Sequence, residues 1–168
     1  MRSAYQDVVE EVKNLKGIEE ALALAIEREK EARDFYQSKA ALMDNPKFRK
    51  LYEELAGEEK KHLSYLEIYR TKNELPVVST ETPSGQSFTP EFDKARTKGG
   101  EITLGDAGIL LAAMRHERKS EDFYSELAKR SADDTRRSFF EMLARYERGH
   151  YELIDSYLDA LTRFRMQT

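Results

Sequence analysis

The sequence predicts an all-α protein: a four-helix bundle of two antiparallel helical hairpins joined by a long crossover, plus a short N-terminal helix. Three observations predict it. Four long segments carry apolar residues at helical spacing. The composition is rich in Glu, Lys, Ala, Leu and Arg, with only 4 Pro and 8 Gly. The second pair of segments also repeats the first, without a gap, at an offset of 88 residues. A chain of 168 residues, 39% hydrophobic and 36% charged, suits one domain (residues 1–168) with a substantial core and well-solvated outer faces.

The elements follow in order. Residues 1–16 hold a short amphipathic helix, with Val8, Val9, Val12 and Leu15 on one side, placed to pack on the bundle or on a neighbour. The first hairpin spans 18–70. Its first helix, from Ile18 to about Met43, sets Leu22, Ala25, Ile26, Glu29, Ala32 and Tyr36 on one stripe. Asn45-Pro46 then supplies an N-cap followed by Pro at the first helical position. The second helix presents Phe48, Leu51, Leu55, Glu59, His62, Leu66 and Tyr69.

Residues 71–103 differ in composition. They carry three of the four prolines (Pro76, Pro83, Pro90), the run Ser79-Thr80-Glu81-Thr82 and Gly99-Gly100. Neither hairpin could bury its apolar stripe alone, so this reads as a crossover within one domain rather than a linker between two. The second hairpin spans 104–163. Thr103-x-x-Asp106 and Ser131-x-x-Asp134 resemble capping boxes opening its two helices. Their inner faces read Leu110, Ala113, Met114, Glu117, Tyr124 and Leu127, then Leu143, Glu147, His150, Ile154, Tyr157 and Leu161. Both hairpin connections are short, which makes each helix pair antiparallel.

Bulk properties exclude several classes of function. A net charge of -4 gives no electrostatic reason to expect nucleic acid or an anionic membrane as partner. No apolar run is long enough to span a bilayer, and Met1 to Lys16 is too polar for a signal peptide, so the expected location is cytoplasmic. Cysteine is absent, which removes disulfides, thiolate zinc sites and iron–sulfur centres from these residues.

The internal repeat carries the chemistry. Glu29, Tyr36, Glu59 and His62 recur as Glu117, Tyr124, Glu147 and His150, each half reading Glu-x6-Tyr followed by Glu-x-x-His. Leu22/Leu110, Ala25/Ala113, Phe35/Phe123, Leu55/Leu143 and Tyr69/Tyr157 are further identities in that register. A lone Glu-x-x-His says little in a chain with 32 acidic residues. A doubled, in-register pattern on core faces says more. Residues three apart on a helix share a face, so Glu59 converges with His62 and Glu147 with His150. An approximate two-fold would bring four Glu and two of the three His to the bundle axis. Uncompensated, those carboxylates would repel one another and desolvate at several kcal/mol each, or take up protons. Two divalent cations balance four negative charges, and mixed oxygen and nitrogen ligands suit iron or manganese.

The remaining polar residues have plainer readings. His116 is adjacent to Glu117 and so faces about 100° away around the helix; it is read as a surface or interface histidine. Asp34 and Asp122 lie off the stripe and suit helix-surface salt bridges, Glu53, Glu58 and Glu141 are read as solvated or paired charges, and Met114 as packing.

On these motifs, from about Ile18 to Leu161, the chain resembles the ferritin-like superfamily of non-haem di-iron carboxylate proteins, and most of all its rubrerythrin-type branch. The resemblance implies two iron ions, with Glu29 and Glu117 as terminal ligands, Glu59 and Glu147 as bridges, and His62 and His150 capping one metal each. It implies that Tyr36 and Tyr124 hydrogen-bond to ligand carboxylates and fix their orientation. It also implies oxidoreductase chemistry on hydrogen peroxide or dioxygen, supplied with electrons by a separate protein such as a rubredoxin. Two departures bear on this. Rubrerythrins carry a further glutamate where this chain has Ser120, and a cysteine-ligated rubredoxin module that these residues lack. The chain ends at Thr168 without the short fifth helix that helps close a ferritin shell, so a cage is not expected. The alternatives are a ferroxidase that stores or delivers iron, and a non-catalytic metal-binding bundle. Apolar residues on the N-terminal segment make a homodimer the expected assembly.

Overall fold

The computed structural model describes residues 3–77 and 104–166. They form five helices and no strand: α1 (Ala4–Lys13), α2 (Ile18–Leu42), α3 (Pro46–Lys72), α4 (Leu104–Lys129) and α5 (Asp134–Met166). The all-α bundle expected from the periodicity is what these residues build. No described helix is long and apolar enough to cross a membrane.

Local chemistry sets the helix ends. α1 opens on a capping box in which the Ser3 side chain accepts from the Gln6 backbone and the Gln6 side chain accepts from the Ser3 N–H. The Asn45 side chain accepts from the Lys47 N–H at 2.9 Å, with Pro46 at the first position of α3, as the sequence predicts. α3 runs two residues past the expected end at 70 and stops at Asn73, the one non-glycine among the described residues with positive φ (53°). Its N–H closes on the Tyr69 carbonyl at 2.8 Å, a left-handed cap that asparagine tolerates.

Two capping expectations fare differently. Thr103 lies outside the described residues, so its box is not among the observations. Ser131 does not cap α5. Its hydroxyl donates back to the Leu127 carbonyl at 2.7 Å and closes α4, while Asp133 accepts from the Arg136 N–H at 2.8 Å and starts α5. An acidic side chain two residues further on was better placed for the free N–H groups of α5. Most of the expected crossover, residues 78–103, also lies outside the described residues.

α2 packs on α3 and α4 on α5 as two hairpins. Ring contacts tie α3 to α5: Tyr69 stacks on Phe139 at 4.2 Å between centroids, and Phe48 lies tilted against Tyr157 at 6.2 Å. α1 lies against α4, burying Val8 and Val12 within the chain. The Tyr5 hydroxyl donates to Glu126, itself buried on α4, at 2.8 Å, and Arg28 of α2 pairs with Glu11. Val8 and Val12 of the apolar face that suggested a homodimer are thus used inside the bundle, while Val9 and Leu15 are half-buried.

The core consists of two apolar clusters. One gathers Leu22, Ile26, Leu66, Phe123, Phe139 and Leu143; the other gathers Tyr36, Phe48, Leu51, Leu55, Leu110 and Ile154. The charged residues of the repeat lie on the same inward stripes of the helices that supply both clusters. Water is therefore excluded from a polar group held within an apolar bundle.

Candidate metal centre

Each of the four bundle helices contributes to this polar group. Glu29 comes from α2, Glu59 and His62 from α3, Glu117 from α4, Glu147 and His150 from α5, and none is more than 2% exposed. All six residues singled out in the sequence are brought together. Glu29, Glu59, His62 and Glu147 each offer one donor atom to a group whose members lie within 4.8 Å of one another, and Glu59, Glu117, Glu147 and His150 form a second such group.

The distances show how the groups share atoms. His62 Nδ1 lies 3.2 Å from Glu29 Oε2, 3.2 Å from Glu59 Oε2 and 3.0 Å from Glu147 Oε1. His150 Nδ1 lies 3.3 Å from Glu59 Oε1, 3.4 Å from Glu117 Oε2 and 3.8 Å from Glu147 Oε2. Glu59 and Glu147 thus turn one oxygen to each histidine, whereas Glu29 faces His62 and Glu117 faces His150. The two imidazoles stack with centroids 5.2 Å apart.

Tyr36 and Tyr124 are buried and donate across the bundle. Tyr36 bonds to Glu117 Oε1 and Tyr124 to Glu29 Oε1, so the tyrosine of each half holds the carboxylate of the other. One oxygen of each carboxylate is fixed by a phenol and the other is turned to a histidine.

Such a group fits a cation poorly replaced by anything else. Among the described residues, both oxygens of Glu59, Glu117 Oε2, Glu147 Oε1 and both ring nitrogens of His150 are buried with no aligned hydrogen-bond partner, as is His62 Nε2. Orphaned buried acceptors cost about 1–3 kcal/mol each, and more when charged. A single nitrogen facing three carboxylate oxygens cannot satisfy all of them with one proton; a cation between them can. The departure from usual metal sites is that neither Nε2 donates to a carbonyl or carboxylate of the described residues.

Without a cation, protons take its place. Burial and then the Glu59 charge push Glu29 up to about 8. Burial, followed by the charges of Glu59, Glu29 and Glu117, pushes Glu147 well above the carboxylate range. Burial favours neutral imidazoles, but the facing carboxylates outweigh it and hold His62 and His150 well above their ordinary value. Burial likewise favours a protonated Glu59, yet the imidazoles of His150 and His62 that face its two oxygens hold it well below the usual range. Both tyrosines are raised by burial and then by the carboxylates beside them, so they stay protonated donors.

Other sequence readings settle as follows. Asp34 is exposed and pairs with Arg33, Glu58 pairs with Lys61 at 2.5 Å, and Met114 packs against the core. His116 is half-buried rather than on the surface, stacked on Phe35 with centroids 6.4 Å apart. Its two-fold counterpart Arg28 sits over Phe123 at 4.4 Å, so the repeat keeps the contact with the phenyl ring and changes the residue that makes it. Ser120 is buried where the resemblance leads one to expect a further glutamate.

Two neighbours of the site were missed in the sequence. Tyr146 and Tyr65 lie against His62, with centroids at 5.3 and 6.4 Å. Both stand off the Glu-x-x-His stripe, and the signal that marks them is a break in the repeat, since their counterparts are Glu58 and Leu153.

No curated protein and no solved structure matches the chain. A family model described as rubrerythrin matches residues 20–158, which span all four bundle helices and every residue of the buried cluster. With its ferritin-like helices and a carboxylate–histidine core suited to metal, the chain belongs to the rubrerythrin family.

Proposed function

We propose that this protein is a non-haem di-iron oxidoreductase that reduces hydrogen peroxide or dioxygen with electrons from a separate donor. One observation carries the reading: Glu59 and Glu147 each turn one oxygen to His62 and the other to His150. Carboxylates disposed in this way suit bridges between two ions, with Glu29 and His62 completing one set of ligands and Glu117 and His150 the other. Oxygen-rich ligands with one imidazole per ion suit iron, with manganese as the nearest competitor. Bound iron would supply two electrons to the oxidant.

The chain's own residues do the rest. Tyr36 and Tyr124 hold Glu117 and Glu29 by one oxygen each, which fixes where the other oxygen points. The surrounding apolar side chains exclude bulk water, strengthening every charge interaction inside. Glu29 and Glu147, which retain protons in the metal-free core, release them on metal uptake. Cysteine is absent from these residues, so the electrons reach the centre from outside them, from a donor of the rubredoxin kind.

The test is metal analysis combined with stopped-flow absorbance of the anaerobic ferrous protein, mixed separately with peroxide and dioxygen. The expected result is two irons per chain and rapid oxidation by at least one of the two. Iron accumulating well beyond two per chain during aerobic turnover would instead indicate a ferroxidase that stores iron. Only trace transition metal, unchanged in Glu59→Ala, would overturn both readings. The homodimer is a separate proposal, checked by sedimentation velocity.

A further inference from the structure

The two-fold that relates the hairpins is broken around His62. Around His62 the rings run outward: His150 stacks on His62 at 5.2 Å, Tyr146 lies nearest on the other side at 5.3 Å, and Tyr65, further from His62 at 6.4 Å, lies 6.3 Å from Tyr146. Tyr146 is 7% exposed and Tyr65 is half-buried, so the rings lead from the centre of the bundle to its rim. Adjacent π systems at such separations are in contact range. The counterparts of Tyr146 and Tyr65 around His150 are Glu58 and Leu153, neither of which is a one-electron donor. Packing alone does not call for this difference, since Leu153 fills the same position in the other half.

We propose that Tyr146 and Tyr65 form a one-electron relay that draws oxidising equivalents from the His62 side of the centre to the surface. The proposal rests on the peroxide reading above and adds what happens when no donor is at hand. Hydrogen peroxide is the oxidant, and with the irons already ferric both of its oxidising equivalents fall to the phenols. Tyr146 gives one electron to the oxidised centre and its phenol proton to water; Tyr65 then restores Tyr146 by giving up an electron and a proton in turn. A second passage brings the total to two electrons and two protons. Together the two phenols convert one hydrogen peroxide to two waters and are left as two phenoxyl radicals. A small one-electron reductant of the thiol or enediol class, meeting the half-exposed Tyr65, returns them to phenols. The ligands are spared because the oxidising equivalent leaves them, and one metal position is distinguished from the other because only His62 adjoins the relay.

The experiment uses the full chain loaded with ferrous iron and mixed, without reductant, with hydrogen peroxide in excess of that needed to oxidise the iron, then freeze-quenched and read by electron paramagnetic resonance. Tyr146→Phe and Tyr65→Phe are compared with the unaltered protein, after metal analysis has shown the same iron content in all three. The relay predicts a tyrosyl signal in the unaltered protein and loss of most of it in Tyr146→Phe. In Tyr65→Phe the signal persists, but ascorbate quenches it more slowly. Digestion and mass spectrometry give a second readout, with mutually cross-linked Tyr65 and Tyr146 peptides expected only where both tyrosines are present. A protein that consumes peroxide without a tyrosyl signal, or a signal unchanged in both variants, overturns the relay and leaves the peroxide reading standing. Iron-loaded protein that does not react with peroxide overturns both.

Discussion

Glu59 and Glu29 are both buried carboxylates of the same cluster, yet the geometry assigns them different consequences when removed. Glu59 faces both histidines, so Glu59→Ala strips one oxygen from each half of the centre and is expected to abolish binding of both ions. Glu29 faces His62 alone, so Glu29→Ala is expected to leave one ion bound beside His150. Native mass spectrometry of the metal-loaded variants separates the cases; equal loss in both would show that the carboxylates do not divide as bridge and terminal ligand. Tyr124→Phe leaves a buried Glu29 oxygen without its donor. A cost of about 1–3 kcal/mol in denaturant unfolding is expected for such an orphaned acceptor. Stability unchanged from that of the parent would mean the bond carries no weight.

Helix ends were less legible than helix faces, and α5 shows why. Its inward residues Leu143, Glu147, His150, Ile154, Tyr157 and Leu161 are all buried, as the periodicity predicts. Its start was misplaced because Ser131-x-x-Asp134 matches a capping box in letters while the Ser131 hydroxyl is spent on the end of α4. Caps depend on which of several nearby side chains reaches the free N–H groups, a choice of a few tenths of an ångström that spacing does not encode. Asp133→Ala is therefore expected to cost about 1 kcal/mol through the lost cap. Ser131→Ala should leave the start of α5 intact. Hydrogen exchange over residues 134–138 distinguishes them: faster exchange in Ser131→Ala, with none in Asp133→Ala, would restore the original assignment.

The bundle as a whole trades protons for cations, which gives its stability a pH dependence of definite sign. In the folded metal-free chain Glu29 titrates at about 8 instead of 4.5, so between those values the folded state holds a proton the unfolded chain has lost. That contribution is complete below pH 4.5 and declines as the pH rises through the window. His62 and His150, raised above 6.5, contribute in the same direction, with stability lost as the pH rises through their folded values. Glu59, held below 4.5, acts oppositely and only in acid. Chelated protein is thus expected to melt at a lower temperature at pH 8 than at pH 6.5. Saturation with a divalent cation adds about 2.7 kcal/mol at a hundred times the dissociation constant. It also reverses the slope, because protons now compete with the metal. Calorimetry of both forms at the two pH values checks this; a metal-free protein whose melting temperature rises towards pH 8 would contradict the proton-for-cation exchange.

Two periodicities, one of 3.6 residues and one of 88, were enough to name the fold class and the six charged residues of the centre. Both are properties of spacing along the chain, and a helix turns spacing into a shared face without further information. What lay between the helices was not legible. That Tyr36 bonds to Glu117 and Tyr124 to Glu29, across the bundle rather than within a hairpin, depends on how two hairpins dock. That Tyr146 and Tyr65 line up beyond His62 depends on residues of α3 and α5 that share no stripe until those helices pack. The sequence determined which residues turn inward. Tertiary packing alone decided which atoms they meet, because contacts between helices are fixed by the docking of whole faces and not by distance along either chain segment.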